Sequence, residues 1–203
     1  MRRDAIAFGI GGVLFGLIAG WVIGAQQAQR NPAPPAATAA APPAQGNTSR
    51  PVVLDEAKVS AFKSMAEREP ANPKPRVELA NLYFDAEQYD DAISWYSHAL
   101  KLSPDDVDVS TDLGVSYYYT NQTDKALAQF SHSLKLNPKH TKTLLNVGIV
   151  RAFGKQDLDG AQDAWQQAIQ IAPESPEGQA AKKLLDTLRS AHPATGTPSK
   201  PGA

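Results

Sequence analysis

Three stretches share one pattern: LANLYFDAEQYDDAISWYSHALKLSP over residues 79–104, LGVSYYYTNQTDKALAQFSHSLKLNP over 113–138, and VGIVRAFGKQDLDGAQDAWQQAIQIAP over 147–173. Aligned on Pro104, Pro138 and Pro173, they recur at intervals of 34 and then 35 residues. Self-similarity at a period of this length marks a solenoid built from one supersecondary unit. In the second half of each unit the apolar residues Ala92, Ile93, Tyr96, Ala99 and Leu100, or Ala126, Leu127, Phe130 and Leu134, fall on one helical stripe. The first half carries a shorter helix, with Leu79, Ala80 and Tyr83, then Leu113, Gly114 and Tyr117, then Val147 and Gly148. The small residue in each lets a partner helix approach. Asp90, Asp124 and Asp159 suit the start of the second helix, where free amides and the dipole favour negative charge. The closing proline disfavours helical geometry in the residue before it.

These residues resemble the tetratricopeptide-repeat family, whose pattern is W-x2-L-G-x2-Y, then A-x3-F, then Pro. Leu79, Ala80, Tyr83, Ala92, Tyr96, Ala99 and Pro104 fit it, as do Leu113, Gly114, Tyr117, Ala126, Phe130 and Pro138. The third unit keeps Gly148, Ala161, Trp165, Ala168 and Pro173 but has Arg151 where Tyr is expected. It also needs one extra residue, expected around Lys155 to Asp159 between the two helices. The leading Trp of the family is replaced by Arg76, Ser110 and Leu144. The implied fold is all-α: a tetratricopeptide-repeat solenoid of helix-turn-helix units, preceded by a transmembrane helix.

That helix is expected from the N-terminal region. After Met1-Arg2-Arg3-Asp4, residues 5–25 are uncharged and span roughly 31 Å as a helix, enough for a bilayer core. A cleaved signal peptide and a buried soluble helix are the competing readings. The length and the lack of a small-x-small exit favour an uncleaved single-pass anchor. Arg2 and Arg3 against Arg30 place the N-terminus in the cytoplasm, and the repeats outside it, in the periplasm if the cell is bacterial. Gly12, Gly16, Gly20 and Gly24 recur every fourth residue, a spacing that supports packing between membrane helices. Glycine is also common in such helices generally.

The domain organisation follows. Residues 1–30 form the anchor. Residues 31–51, with six prolines, form a Pro/Ala-rich tether of at most about 65 Å. Residues 52–190 form the repeat domain: a leading helix over 54–70, repeats over 73–106, 107–140 and 141–175, and a capping helix over 176–190. The leading helix is expected to turn Ala57, Ala61, Phe62, Met65 and Ala66 inward, and the capping helix Ala180, Ala181, Leu184, Leu185 and Leu188. Such end pieces cover the outer repeats of a solenoid. Residues 191–203 read as a disordered tail.

The 203-residue chain has no cysteine, which excludes disulfides, thiolate metal sites and cysteine nucleophiles. From Val52 to Ser190 there are 20 acidic and 15 basic residues, a net charge of −5 that disfavours nucleic acid as a partner. His98 and His132 occupy equivalent surface positions, His140 a loop and His192 the tail. Asp105, Asp106 and Asp108 gather at an inter-repeat turn, where capping accounts for them. No phosphate-cradling loop, nucleophile elbow or two-histidine helix is present, so no catalytic residue, metal or cofactor is expected.

The family resemblance instead implies a groove lined by the first helix of each repeat. It assigns Val77, Asn81 and Phe84, then Thr111, Val115, Tyr118 and Tyr119, then Leu145, Asn146, Ile149 and Phe153 to peptide binding. Val77 stands where a carboxylate-clamping subgroup has Lys, which argues against recognition of an acidic chain terminus in that manner. The expected function is a membrane-anchored scaffold or chaperone-like adaptor for a client polypeptide, assisting assembly of an envelope or membrane complex. The alternative is a structural subunit that self-associates through the glycine face.

Overall fold

The computed structural model describes residues 53–191. The anchor, the tether, the tail beyond Ala191 and the four glycines of the N-terminal stripe lie outside them. The described residues form eight α-helices: α1 (Glu56–Arg68), α2 (Lys74–Asp85), α3 (Tyr89–Leu102), α4 (Val107–Tyr119), α5 (Thr123–Leu136), α6 (Thr141–Ile149), α7 (Leu158–Ile171) and α8 (Pro176–Ala191). A π-helical turn, Val150–Lys155, continues α6. Two compact units divide after Trp95.

In the first unit, Asp55 caps α1 by accepting from the Lys58 amide at 3.0 Å, and that bond holds its carboxyl below the usual range. The buried residues of α1 are Val59 and Ala66, with Phe62 half-buried between them. Ala57, Ala61 and Met65, expected inside, are exposed. The buried stripe follows the i, i+3, i+7 series from Val59, one face over from the alanine series. Arg76, at the family's Trp position, donates to the carbonyls of Asn72 at 2.9 Å and Ala66 at 3.3 Å. A guanidinium thus satisfies the Ala66 carbonyl at the end of α1, which the helix itself leaves open, and a loop carbonyl beyond it.

In the second unit α4 packs on α5, α6 on α7, and α7 on α8. The aromatic positions Phe130 and Trp165 are fully buried, each against a glycine of the preceding helix. A Cβ on Gly114 would lie 2.4 Å from the Phe130 ring, and one on Gly148 2.2 Å from the Trp165 indole nitrogen. That nitrogen donates to the Leu145 carbonyl at 3.1 Å, so the indole is both packed and satisfied. Asp106 caps α4 through the Val109 amide at 3.0 Å, and Asp157 caps α7 through the Gly160 amide at 2.9 Å. Asp124 and Asp159 lie in first turns, facing the positive end of each dipole. Ser175 accepts from the Gly178 amide and opens α8, which buries Ala180, Ala181, Leu184 and Leu185.

The extra residue of the third repeat does not lie between the helices. Each repeat turns through one left-handed residue two positions before its second helix: Glu87 (φ 59°), Asn121 (φ 60°) and Gln156 (φ 58°). The amide after each closes back on the first helix, from Gln88 to Tyr83 and from Gln122 to Tyr117, five residues apart, but from Asp157 to Arg151, six apart. The turn is therefore constant. The insertion enters the helix upstream of it as the π-helical turn, which accommodates one residue more than an α turn does.

Candidate peptide-binding face

In the first unit Val77, Asn81 and Phe84 follow one another along α2 and are all half-buried. Phe84 meets Tyr89 edge-on, with ring centroids 5.3 Å apart. Burial, and then the nearby Glu87 carboxylate, push the Tyr89 phenol up to about 12, so it remains neutral at any physiological pH.

In the second unit the expected groove residues separate into two sets. Thr111 and Leu145 are interior. Thr111 was expected on the open face because of its position along α4, but its hydroxyl reaches the neighbouring helix, lying 2.7 Å from the Thr143 hydroxyl and donating to Val107 O. Asn146 and Ile149, at 8% and 7% exposure, show little more than an edge, and Asn146 donates to the Lys142 carbonyl of its own helix. The accessible set comprises Val115, Tyr118, Tyr119 and Phe153. Val115 and Tyr118 rest on the buried cluster of Ala126, Phe130 and Val150. Tyr119 leans on Tyr118, centroids 6.4 Å apart, and Phe153 is 39% exposed on the π-helical turn. Gly154 supports this end of the face, because a Cβ there would sit 2.9 Å from Thr123 and 3.0 Å from the Tyr118 ring. The resulting burial raises the Tyr118 phenol above its ordinary value.

Polar pairs flank the face and were not anticipated from the sequence. Asp112 of α4 and Lys142 of α6 pair at 2.7 Å with both side chains largely covered. One helical turn earlier on α4, Asp108 meets His140 at 3.3 Å. Ser110, at the family's Trp position, receives hydrogen bonds from Gln129 at 2.7 Å and Ser133 at 2.8 Å, and both serines are fully buried. The signal for this cluster was present as polar residues at apolar repeat positions. His98 and His132 are exposed. Among the described residues no cluster of histidine and carboxylate side chains is placed to hold a metal.

Family profiles described as "TPR repeat" and "Tetratricopeptide repeat" match residues 80–119 and 107–140. These residues carry tetratricopeptide repeats. Among solved structures, the first TPR of Spaghetti (RPAP3) bound to the HSP90 peptide SRMEEVD matches with a TM-score of 0.54 and 23% identity, covering 59% of this chain and 94% of that one. The first TPR domain of human RPAP3 in solution gives 0.54 and 24%, over 60% and 93%. MamA gives 0.53 and 17%, over 65% and 85%. At these identities the likeness is one of fold: all-helical, with the helix-turn-helix units of a tetratricopeptide solenoid. A comparison with curated proteins finds no match. The fold is one of protein-interaction scaffolds. Among the described residues no helix is long and apolar enough to cross a membrane.

Proposed function

We propose that this protein is a membrane-anchored scaffold that holds a client polypeptide against the first helices of its second and third repeats, and so assists assembly of an envelope or membrane protein complex. The observation that carries the reading is the accessible apolar row of Val115, Tyr118, Tyr119 and Phe153 on α4 and the π-helical turn. Aromatic groups with polar tips beside a neutralised Asp112–Lys142 pair suit an uncharged, partly apolar peptide segment. The net negative charge of the repeat region supports a polypeptide over a nucleic acid. The uncharged run at residues 5–25 supports a single-pass anchor, and Arg2 and Arg3 before it support an N-terminus in the cytoplasm with the repeats on the outer side of a bacterial inner membrane.

The test is photo-crosslinking in native membranes from position 118 of the full chain. The expected result is one discrete heterologous adduct, weakened at least tenfold by Tyr119→Ser with Phe153→Ser while helix content stays unchanged. Adducts only to a second copy of the chain would replace the client with self-association, a reading for which the Gly12, Gly16, Gly20 and Gly24 stripe is the supporting feature.

A further inference from the structure

Three helices of the second unit, α4, α6 and α8, run in one direction. α4 and α6 are parallel, because Asp108 meets His140 and Thr111 meets Thr143 in the same order along both. α7 reverses the chain after α6, with Trp165 against Gly148 and Asp157 beside Arg151. The turn from Ala172 to Ser175 reverses it again into α8, which packs on α6. α6 and α8 also start alike: the His140 amide donates to the Asn137 carbonyl, and the Ser175 amide, 35 residues on, to the Ala172 carbonyl. By that interval Ala191, the last residue of α8, stands about level with Gln156, just past Phe153. The chain therefore leaves α8 at the end of the unit where Tyr118, Tyr119 and Phe153 are gathered.

The segment that follows reads HPATGTPSKPGA over residues 192–203, with no acidic side chain and one lysine. Pro198 and Pro201 are three apart, one turn of polyproline II, and so share an edge. Such segments dock on aromatic-lined surfaces at low entropic cost, because their geometry is set beforehand. At 3.1 Å per residue, Pro198 and Pro201 can reach roughly 22 and 31 Å from Ala191. α4 lies two helix spacings from α8, roughly 16–20 Å, so the tyrosines are within reach and Phe153 lies on the way. Charge is complementary too. The Asp124 carboxylate, beside Thr123 at this end of the face, is 86% exposed and keeps an open side beyond its pairing with Lys155, a place for Lys200.

We propose that residues 192–203 fold back across Tyr118, Tyr119 and Phe153 through Pro198 and Pro201, so that the chain carries its own competitor for the face. The Pro/Ala-rich stretch at 31–51 is the rival occupant, but it enters the first unit, whereas the tail leaves the unit that bears the aromatic row. A tethered occupant acts at an effective concentration on the order of 1 mM. A contact with a Kd of about 0.3 mM then fills the row about three-quarters of the time, and its loss raises apparent client affinity about fourfold. The competition rests on the client-binding role proposed for this face; the contact itself does not.

The experiment uses the full chain, which has no cysteine, in detergent micelles with a spin label on Ala203→Cys. The amide signals of Tyr118, Tyr119 and Phe153 should weaken about threefold or more against a diamagnetic label, and Pro198→Ala with Pro201→Ala should restore at least about half of that loss. Spin-labelled chain mixed with isotope-enriched, label-free chain should leave the signals intact. No selective loss at these residues, a loss that survives the proline substitutions, or a loss seen only in the mixture overturns the contact, the last by seating a second copy's tail there. In native membranes the same proline substitutions should raise the client adduct from position 118 about fourfold. An unchanged adduct overturns the competition. No heterologous adduct, with the signal loss intact, overturns the scaffold reading and the competition with it, while the contact stands.

Discussion

The second and third repeats lie in one unit and follow one pattern, yet they fill matching positions with opposite chemistry. Ser110, Gln129 and Ser133 form a closed set of hydrogen bonds in the second; one period on stand Leu144, Ala164 and Ala168, all buried and apolar. Both arrangements leave the pairing of glycine with an aromatic ring untouched, Gly114 with Phe130 and Gly148 with Trp165. The comparison separates two roles. Close approach at glycine sets how the helices of a repeat meet, whereas the site vacated by the family's Trp accepts any filling whose polar atoms are all satisfied.

The largest expected effect tests the first role. Trp165→Ala should destabilise the fold by about 4 kcal/mol in denaturant titration, combining a cavity with loss of the bond to the Leu145 carbonyl. Gly148→Ala should cost about 2 kcal/mol because the indole has to shift. The second role is tested by grafting. Ser110→Leu alone should cost about 2–3 kcal/mol, since it crowds the site and strips Gln129 and Ser133 of their shared acceptor. Adding Gln129→Ala and Ser133→Ala, which copies the third repeat, should recover stability to within about 1 kcal/mol of the parent. Failure of that recovery would mean that the polar set specifies the second repeat.

A smaller effect is expected at the turns. Gln156→Gly and Glu87→Gly should each stabilise by about 0.5–1 kcal/mol, because a left-handed backbone is strained for residues with a Cβ; Asn121→Gly should give less. The smallest is spectroscopic and concerns Tyr118, whose counterpart one period on is Ala152. Its raised phenol means that the folded state retains a proton the unfolded chain gives up near pH 10. The associated stabilisation is complete below that pH and is lost as pH rises through the folded value. Tyr118→Phe should remove one late step from the alkaline phenolate absorbance and leave melting at neutral pH unchanged.

Helix positions were legible in the sequence because small residues, aromatics and prolines recur together at a period that no chance arrangement sustains over three units. The inward face of α1 was less so: alanine is compatible with either face, and it is packing against α2 that decides which series is covered and so buries Val59. The binding face was half legible. Repeat position places Tyr119 and Phe153 on the open side but cannot distinguish them from Thr111 and Leu145, whose burial depends on the neighbouring helix. Arg76, Ser110 and Leu144 were visible as departures from the family pattern, while their different partners belong to tertiary structure.

The constant left-handed turn gives the π-helical segment a further meaning. Because the closure after Arg151 admits one more residue without displacing the next helix, a length change here becomes a rotation of the side chains just upstream. In such an architecture the surface offered to a ligand can be re-aimed by a single codon while the stack beneath it keeps its spacing, a route to new specificity that leaves the interior unaltered.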